Sequence, residues 1–282
     1  MTVNTVGVIG AGTMGNGIAQ VFASSGFKVI MQDISEEGVN RGVATIGGSL
    51  DRLIKSEKIS EADKVETLGR ITATTDLSSM KDADLVVEAA SEDFVIKTQV
   101  FAELDRICKS EAILASNTSS ISLTKIAATT GRADKVIGMH FMNPVPLMKL
   151  IEVIRALQTS DETCTVIEEL AEKLGKTALM ANDSPGFVAN RILVPMINEA
   201  IFTLHEGIAT AEAIDEIMKL GMNHPIGPLA LADLVGLDVL LSIMRVLQNE
   251  IGDPKFRPCP LLIKMVDAGY LGRKAGRGFY EY

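Results

Sequence analysis

"VGVIGAGTMGNGIAQ", residues 6–20, decides how the chain folds. A β-branched apolar run ends at Ile9, three glycines follow at Gly10, Gly12 and Gly15, and an amphipathic run opens on them. Each glycine answers a separate demand: Gly10 permits a tight turn, Gly12 lets a pyrophosphate approach the backbone, and Gly15 lets the helix lie close to the strand. The helix start then offers N–H groups and a positive dipole end to the phosphates. Alone, this spacing would also suit a plain strand-to-helix turn. A second strand pattern, however, ends in Asp33, eighteen residues after Gly15, where a carboxylate can accept the hydroxyls of an adenosine ribose. The same charge would repel a 2′-phosphate, and Ile34 and Ser35 supply no cation, so NAD is favoured over NADP. Asp33 is equally placed to cap the next helix.

Outward from this loop, apolar runs at Val3–Ile9, Phe27–Gln32, Asp84–Ala90, Ala112–Ser116 and Lys135–Phe141 read as strands. Helical patterns lie between them, clearest at Asp93–Lys109, where Phe94, Val100, Phe101, Leu104 and Cys108 recur at helical spacing. Such alternation implies a doubly wound, mostly parallel α/β sheet. Residues 36–70 break it with two helical stretches meeting near Ser60, where Ser60 followed by Asp63 resembles a helix start, a helical-pair insertion. Lys149–Ile154 and Thr177–Met180 read as two more strands around a helix from Glu162 to Leu174. Beyond Asn182-Asp-Ser-Pro-Gly186 the strand signal ends, and helical patterns run on to Ala268. The expected domains are a Rossmann-like one over 1–184 and an all-α one over 185–282.

Composition narrows the function classes. A net charge of −9 argues against general affinity for nucleic acid or anionic membranes. Cys108, Cys164 and Cys259 are odd in number and contain no Cys-x-x-Cys pair, so neither a disulfide framework nor a thiolate metal site is expected. The first residues, MTVNTVGVIG, enter a strand pattern at once and lack the zones of a signal peptide, and a reducing cytoplasm fits. The long apolar stretch Gly221–Met244 carries His224, Asp233, Asp238 and two prolines, which a span of about 20 apolar residues would not tolerate. It reads as a packed helical core.

Two polar clusters fall at expected strand ends. "ASNTSSIS", residues 115–122, puts Asn117, Thr118, Ser119 and Ser120 at the carboxyl edge of the sheet, where such folds bind ligands; Ser120 or Ser122 also suits an N-cap. "GMHFMNPVPLMKLIEV", residues 138–153, ends a strand at His140 and returns through Glu152. Alone, His140 reads as a satisfied core histidine and Glu152 as a solvated strand residue. Beside a dinucleotide loop, they suit removal of a hydroxyl proton as hydride leaves, with Glu152 fixing the tautomer and stabilising the imidazolium. Asn190, just after Pro185-Gly186, would face the crevice between the domains or bond at its helix start. His205 reads as structural and His224 as a turn residue.

With these residues placed, the whole chain resembles the 3-hydroxyacyl-CoA dehydrogenase family, in its short bacterial 3-hydroxybutyryl-CoA form. The segments that carry the likeness are GAGTMG (10–15), LVVEAASE (85–92), ASNTSS (115–120), GMHFMNPVPLMKLIEV (138–153), DSPGFVANRIL (183–193) and LGRKAGRGFYEY (271–282). The resemblance implies that His140 and Glu152 are the catalytic pair, with Ser119 and Asn190 on the substrate oxygen. It implies a cofactor site of Gly10, Gly12, Thr13, Met14, Gly15, Asp33, Glu92, Lys97, Asn117, Ser119, Asn143 and Lys274. Ser49 and a lysine after it would hold the CoA portion; Lys55 is the candidate, with Arg52 and Lys58 as alternatives. Cys259 stands where relatives usually carry serine or alanine.

The implied activity is NAD-dependent interconversion of (S)-3-hydroxybutyryl-CoA and acetoacetyl-CoA, in the cytoplasm, with neither nucleic acid nor membrane as partner. Competing readings are a dehydrogenase for longer or carboxylated 3-hydroxyacyl-CoA, and a non-catalytic dinucleotide-binding relative. The apolar excess of Phe187–Tyr282 exceeds what one small helical domain need bury, so a homodimer or higher homo-oligomer through that region is expected.

Overall fold

The computed structural model describes residues 2–282, which form two compact units, the first running to Asp183 and the second Ser184–Tyr282. The first holds, among the described residues, one eight-stranded sheet: β1 (Thr5–Ile9), β2 (Lys28–Gln32), β3 (Ile71–Thr74), β4 (Leu85–Glu88), β5 (Ile113–Ser116), β6 (Val136–Phe141), β7 (Leu150–Arg155) and β8 (Thr177–Asn182). Its spatial order is β3-β2-β1-β4-β5-β6-β7-β8. Every pairing is parallel except β6 with β7. The order reverses between β1 and β4, so the glycine loop after β1 opens at the topological switch point, where crevices form at carboxyl ends of strands.

β4, β5 and β6 are buried throughout because helices cover both faces, which is why they read as continuous apolar runs. These helices are α1 (Thr13–Ser24), α2 (Glu36–Lys55), α3 (Glu61–Gly69), α4 (Phe94–Ile107), α5 (Leu123–Ala127) and α6 (Asp161–Lys173). β3 was not expected from the sequence. "ITAT" is a four-residue edge strand with no apolar run, and only its parallel register with β2, Val29 opposite Ile71, defines it. The expected insertion is the α2–α3 pair. Ser35 starts α2, its Oγ accepting the Gly38 amide at 3.0 Å, so Asp33 is not that cap. Ser60 and Asp63 form a reciprocal capping box at α3. Val39, Ile46 and Leu50 form the buried face of α2.

The second unit is helical as expected: α7 (Ala189–His205), α8 (Ala211–Met222), α9 (Pro228–Val235), α10 (Leu237–Ile251) and α11 (Pro260–Asp267). Its core joins Val194, Ile197 and Ile201 of α7 to Leu240, Met244 and Leu247 of α10. Among the described residues, no helix is long and apolar enough to cross a membrane.

Two buried aspartates organise this unit. Asp215 on α8 accepts the Leu229 and Ala230 amides at 2.8 and 2.9 Å, capping α9 from outside, and accepts the Tyr280 hydroxyl at 2.8 Å. Burial and that hydrogen bond push the Tyr280 phenol far above its ordinary value. Asp233 takes the Phe279 and Tyr280 amides, both at 2.9 Å, and pins the last residues of the chain. Asp215→Ala leaves one buried and one partly buried N–H group without their acceptor, so it should destabilise the chain by about 3 kcal/mol. Denaturant unfolding of the full chain measures this, and a loss below about 0.5 kcal/mol, the range of surface substitutions, contradicts it.

Candidate active site

The glycine loop has the geometry that a dinucleotide requires. Gly10 sits at φ +93°, and a Cβ there would lie 2.7 Å from the Ala89 carbonyl oxygen. A Cβ on Gly15 would lie 1.7 Å from the Gly10 oxygen, so only glycine lets α1 start against the loop. Gly12, the N-cap residue of α1, has open space where its side chain would be. That is the approach a pyrophosphate needs. The Gly10 amide donates to the Gln32 carbonyl at 2.7 Å, and the Ala11 amide donates to Asp33 Oδ2 at 2.8 Å. Asp33 therefore ties the loop to the end of β2 with one oxygen.

Beside the loop lies a cavity of about 510 Å³. Its lining includes Gly12 and Thr13, Asn143 and Pro144, and Ser49 and Arg52 of α2. Met14, next in the loop, is half-buried against the sheet core instead. Lys55, the expected CoA-holding lysine, ends α2 exposed and outside this lining; Arg52, the alternative, is in it.

His140 and Glu152 face each other across the only antiparallel ladder of the described sheet, with His140 directly opposite Glu152. His140 Nδ1 and Glu152 Oε2 are 2.7 Å apart, and both residues are buried. An ionised carboxylate only accepts, so with Glu152 ionised Nδ1 carries a proton, and in the neutral ring the lone pair is then on Nε2. The neighbouring Phe141 amide donates to Asn117 Oδ1 at 2.9 Å, which fixes the end of β6 to the polar loop after β5.

That loop is held from beneath by three charges. Glu88, wholly buried at the end of β4, accepts from Lys97 Nζ at 2.7 Å, the Ala90 amide at 2.7 Å and Ser116 Oγ at 2.7 Å. Lys97, also buried, reaches Glu92 at 3.3 Å. Glu92 Oε1 accepts Thr118 Oγ1 at 2.6 Å and the Ser119 and Ser120 amides at 2.9 and 3.1 Å. Burial works to raise the Glu92 carboxyl, but Lys97 and the bonds from Thr118 and Ser119 outweigh it and hold it below its ordinary value. Thr118 was expected at this edge but not as a partner of Glu92, and Glu88 and Ser116 were not expected at all. The signal available was an acid closing a fully apolar strand; its partner, nine residues on, is set by the turn into α4.

The other expected site residues lie in the second unit. Asn190 is in the first turn of α7. Lys274 pairs with Asp238 at 2.7 Å, and though burial works to raise Asp238, Lys274 draws its carboxyl below the ordinary value. Ser122, not Ser120, caps α5. His205 ends α7 exposed.

A nucleotide loop at a switch point, an acid closing β2 and a paired imidazole at the same sheet edge define an NAD-dependent oxidoreductase. Comparison with known proteins carries this further. Residues 5–184 match the model for the 3-hydroxyacyl-CoA dehydrogenase NAD-binding domain, and residues 186–282 match that for the 3-hydroxyacyl-CoA dehydrogenase C-terminal domain. The chain belongs to the 3-hydroxyacyl-CoA dehydrogenase family, and its cofactor is NAD. It is 59% identical to a probable 3-hydroxybutyryl-CoA dehydrogenase of Deinococcus radiodurans, over 98% of this chain and 99% of that one. A probable 3-hydroxybutyryl-CoA dehydrogenase of Bacillus subtilis is 55% identical over 100% of this chain and 98% of its own. The crystal structure of (S)-3-hydroxybutyryl-CoA dehydrogenase from Ralstonia eutropha superposes with a TM-score of 0.97, at 57% identity, covering 100% of this chain and 99% of the other.

Asp33→Ala removes both the ribose acceptor and the repulsion of a 2′-phosphate. The Michaelis constant for NADH should rise about tenfold while that for NADPH changes less. An unchanged ratio of the two constants contradicts the assignment of Asp33.

Proposed function

We propose that the chain interconverts (S)-3-hydroxybutyryl-CoA and acetoacetyl-CoA, with His140 as general acid/base. The observation that supports this best is the His140 Nδ1–Glu152 Oε2 contact of 2.7 Å at the carboxyl edge that carries the glycine loop. The names of the relatives supply the substrate. Bound NAD supplies the hydride acceptor, and NADH the donor. In oxidation, His140 Nε2 takes the proton of the C3 hydroxyl; in reduction, the same nitrogen returns it to the C3 oxygen. Glu152 holds the ring through Nδ1, so that Nε2 is the nitrogen presented. Ser119 and Asn190 donate to the C3 oxygen and polarise it. Glu92 and Lys97 fix the Ser119 loop, Asn143 and Lys274 serve the cofactor, and Ser49 with Arg52 or Lys55 meets the CoA portion.

The reading extends to a cytoplasmic homodimer formed through the second unit. The turn between α7 and α8 leaves Ile208 exposed, and α8 leaves Ile217 and Leu220 exposed, beside an apolar groove of about 420 Å³ that includes Met196, Ala200 and Met218. A closed two-fold contact would cover this face. Light scattering at micromolar concentration should give twice the chain mass, and monomer alone would refute the contact.

His140→Asn should lower turnover of acetoacetyl-CoA by about 10²- to 10⁴-fold while NADH binding stays intact, because no other histidine of the first unit exists to replace it. Glu152→Gln, which keeps a hydrogen-bonding partner for Nδ1, should cost less. Steady-state NADH oxidation and a fluorescence titration of NADH separate the two effects. Near-normal turnover in His140→Asn sinks the acid/base assignment.

A further inference from the structure

Lys176, just before β8, is a buried lysine that the site described so far does not use. Its Nζ donates to the backbone carbonyls of Val145 at 2.7 Å and Met148 at 2.6 Å. Among the described residues no carboxylate pairs with it, and burial pulls its pKa below the ordinary lysine value. Taking an ammonium out of water without a counter-ion is costly, and two carbonyl dipoles offset only part of the cost. A chain stabilised only by packing would place an apolar side chain there.

What Lys176 grips is the far side of a functional wall. The segment from Asn143 to Met148 turns tightly, the Leu147 and Met148 amides both donating to the Pro144 carbonyl at 3.0 Å. Its first residues, Asn143 to Pro146, line the cavity shared with Gly12 and Thr13. Val145 is buried against α1 immediately behind the glycine loop, so closely that a Cβ on Gly17 would lie 2.9 Å from Val145 Cβ. The segment is therefore pressed on α1 at Val145 and clamped by Lys176 at both Val145 and Met148. The neighbouring backbone agrees: the Thr177 amide donates to the Lys149 carbonyl at 2.7 Å, joining the start of β8 to the end of the same segment.

We propose that Lys176 is a positioning residue for the cofactor, its side chain clamping residues 143–148 so that Asn143 and Pro144 form a fixed wall beside the glycine loop. This rests on the reading that NAD occupies the cavity at that loop. The hold acts through backbone carbonyls, so it depends on the length and the donors of residue 176, not on its apolar volume.

The test compares Lys176→Met, Lys176→Gln and Lys176→Arg in the full chain by three measurements: the NADH dissociation constant, the melting temperature, and amide hydrogen exchange across residues 142–149. Lys176→Met should weaken NADH binding about tenfold and speed exchange at Leu147 and Met148, whose protection depends on the clamped turn. Lys176→Gln should fall between, and Lys176→Arg, which keeps donors and charge, should stay nearest to the unaltered chain. Melting temperatures that fall while the dissociation constant and exchange stay unchanged would overturn the proposal, leaving Lys176 a structural residue only. If Lys176→Met does not fold, Lys176→Gln decides on the same two readouts. An unaltered chain that fails to bind NADH would overturn the cofactor reading instead, and the clamp would still be judged from the exchange of residues 142–149.

Discussion

The site depends on one reversal of strand direction. β1, β2, β3, β4, β5 and β6 run parallel, and β7 then returns antiparallel to β6. In an antiparallel pair, residues directly opposite share a face, and a slip of one residue would send every side chain of β7 to the other face. The register that sets Phe141 against Ile151 and Met139 against Val153 puts His140 against Glu152. Because the flanking residues of both strands are buried and apolar, a slip of one residue would exchange the side chains packed on the two covered faces, and the core thereby fixes His140 opposite Glu152. The carboxylate contributes orientation as well as charge, since it leaves the imidazole one way to face.

The buried charges of the first unit gather around this edge. Glu88, Lys97, Glu152, His140 and Lys176 are all nearly inaccessible, and the segments they hold carry Ser119, Asn143 or the imidazole. Buried ion pairs contribute little net stability compared with well-packed apolar side chains. Their concentration at one end of the sheet is better understood as positioning: Glu88 and Lys97 fix Glu92, Glu92 gathers the amides of the Ser119 loop, and Asn117 ties that loop to β6. Preorganised donors and acceptors of this kind need not rearrange as the charge on a substrate oxygen changes.

The parts of this arrangement that are periodic or local were legible in the sequence. Strand–glycine–helix spacing gave the switch-point loop, and the Ser60–Asp63 cap was visible from two residues. β3 was not, because a half-exposed edge strand of Ile-Thr-Ala-Thr has neither an apolar run nor clean alternation. Asp33 illustrates a different limit: sequence left ribose acceptor and helix cap both open, and only the distances show Ser35 capping α2 while Asp33 accepts the Ala11 amide. Glu88 and Lys176 were illegible because their partners are a turn-dependent lysine in one case and backbone carbonyls in the other. The basic residue after Ser49 was legible only as a choice among Lys55, Arg52 and Lys58, and of these Arg52 lines the cavity with Ser49.

With Nδ1 bonded to Glu152, the strand register should hold the neutral His140 ring in one tautomer, its other nitrogen away from Glu152. Nitrogen-15 NMR of protein labelled in its three histidine rings tests this directly, with the His140 signals assigned by their loss in His140→Asn. In the neutral form of the ring the proton should sit on Nδ1, and no fixed preference of this kind should remain once Glu152 is replaced by alanine. A His140 ring protonated on Nε2, or one averaging between tautomers as free imidazole does, would contradict it.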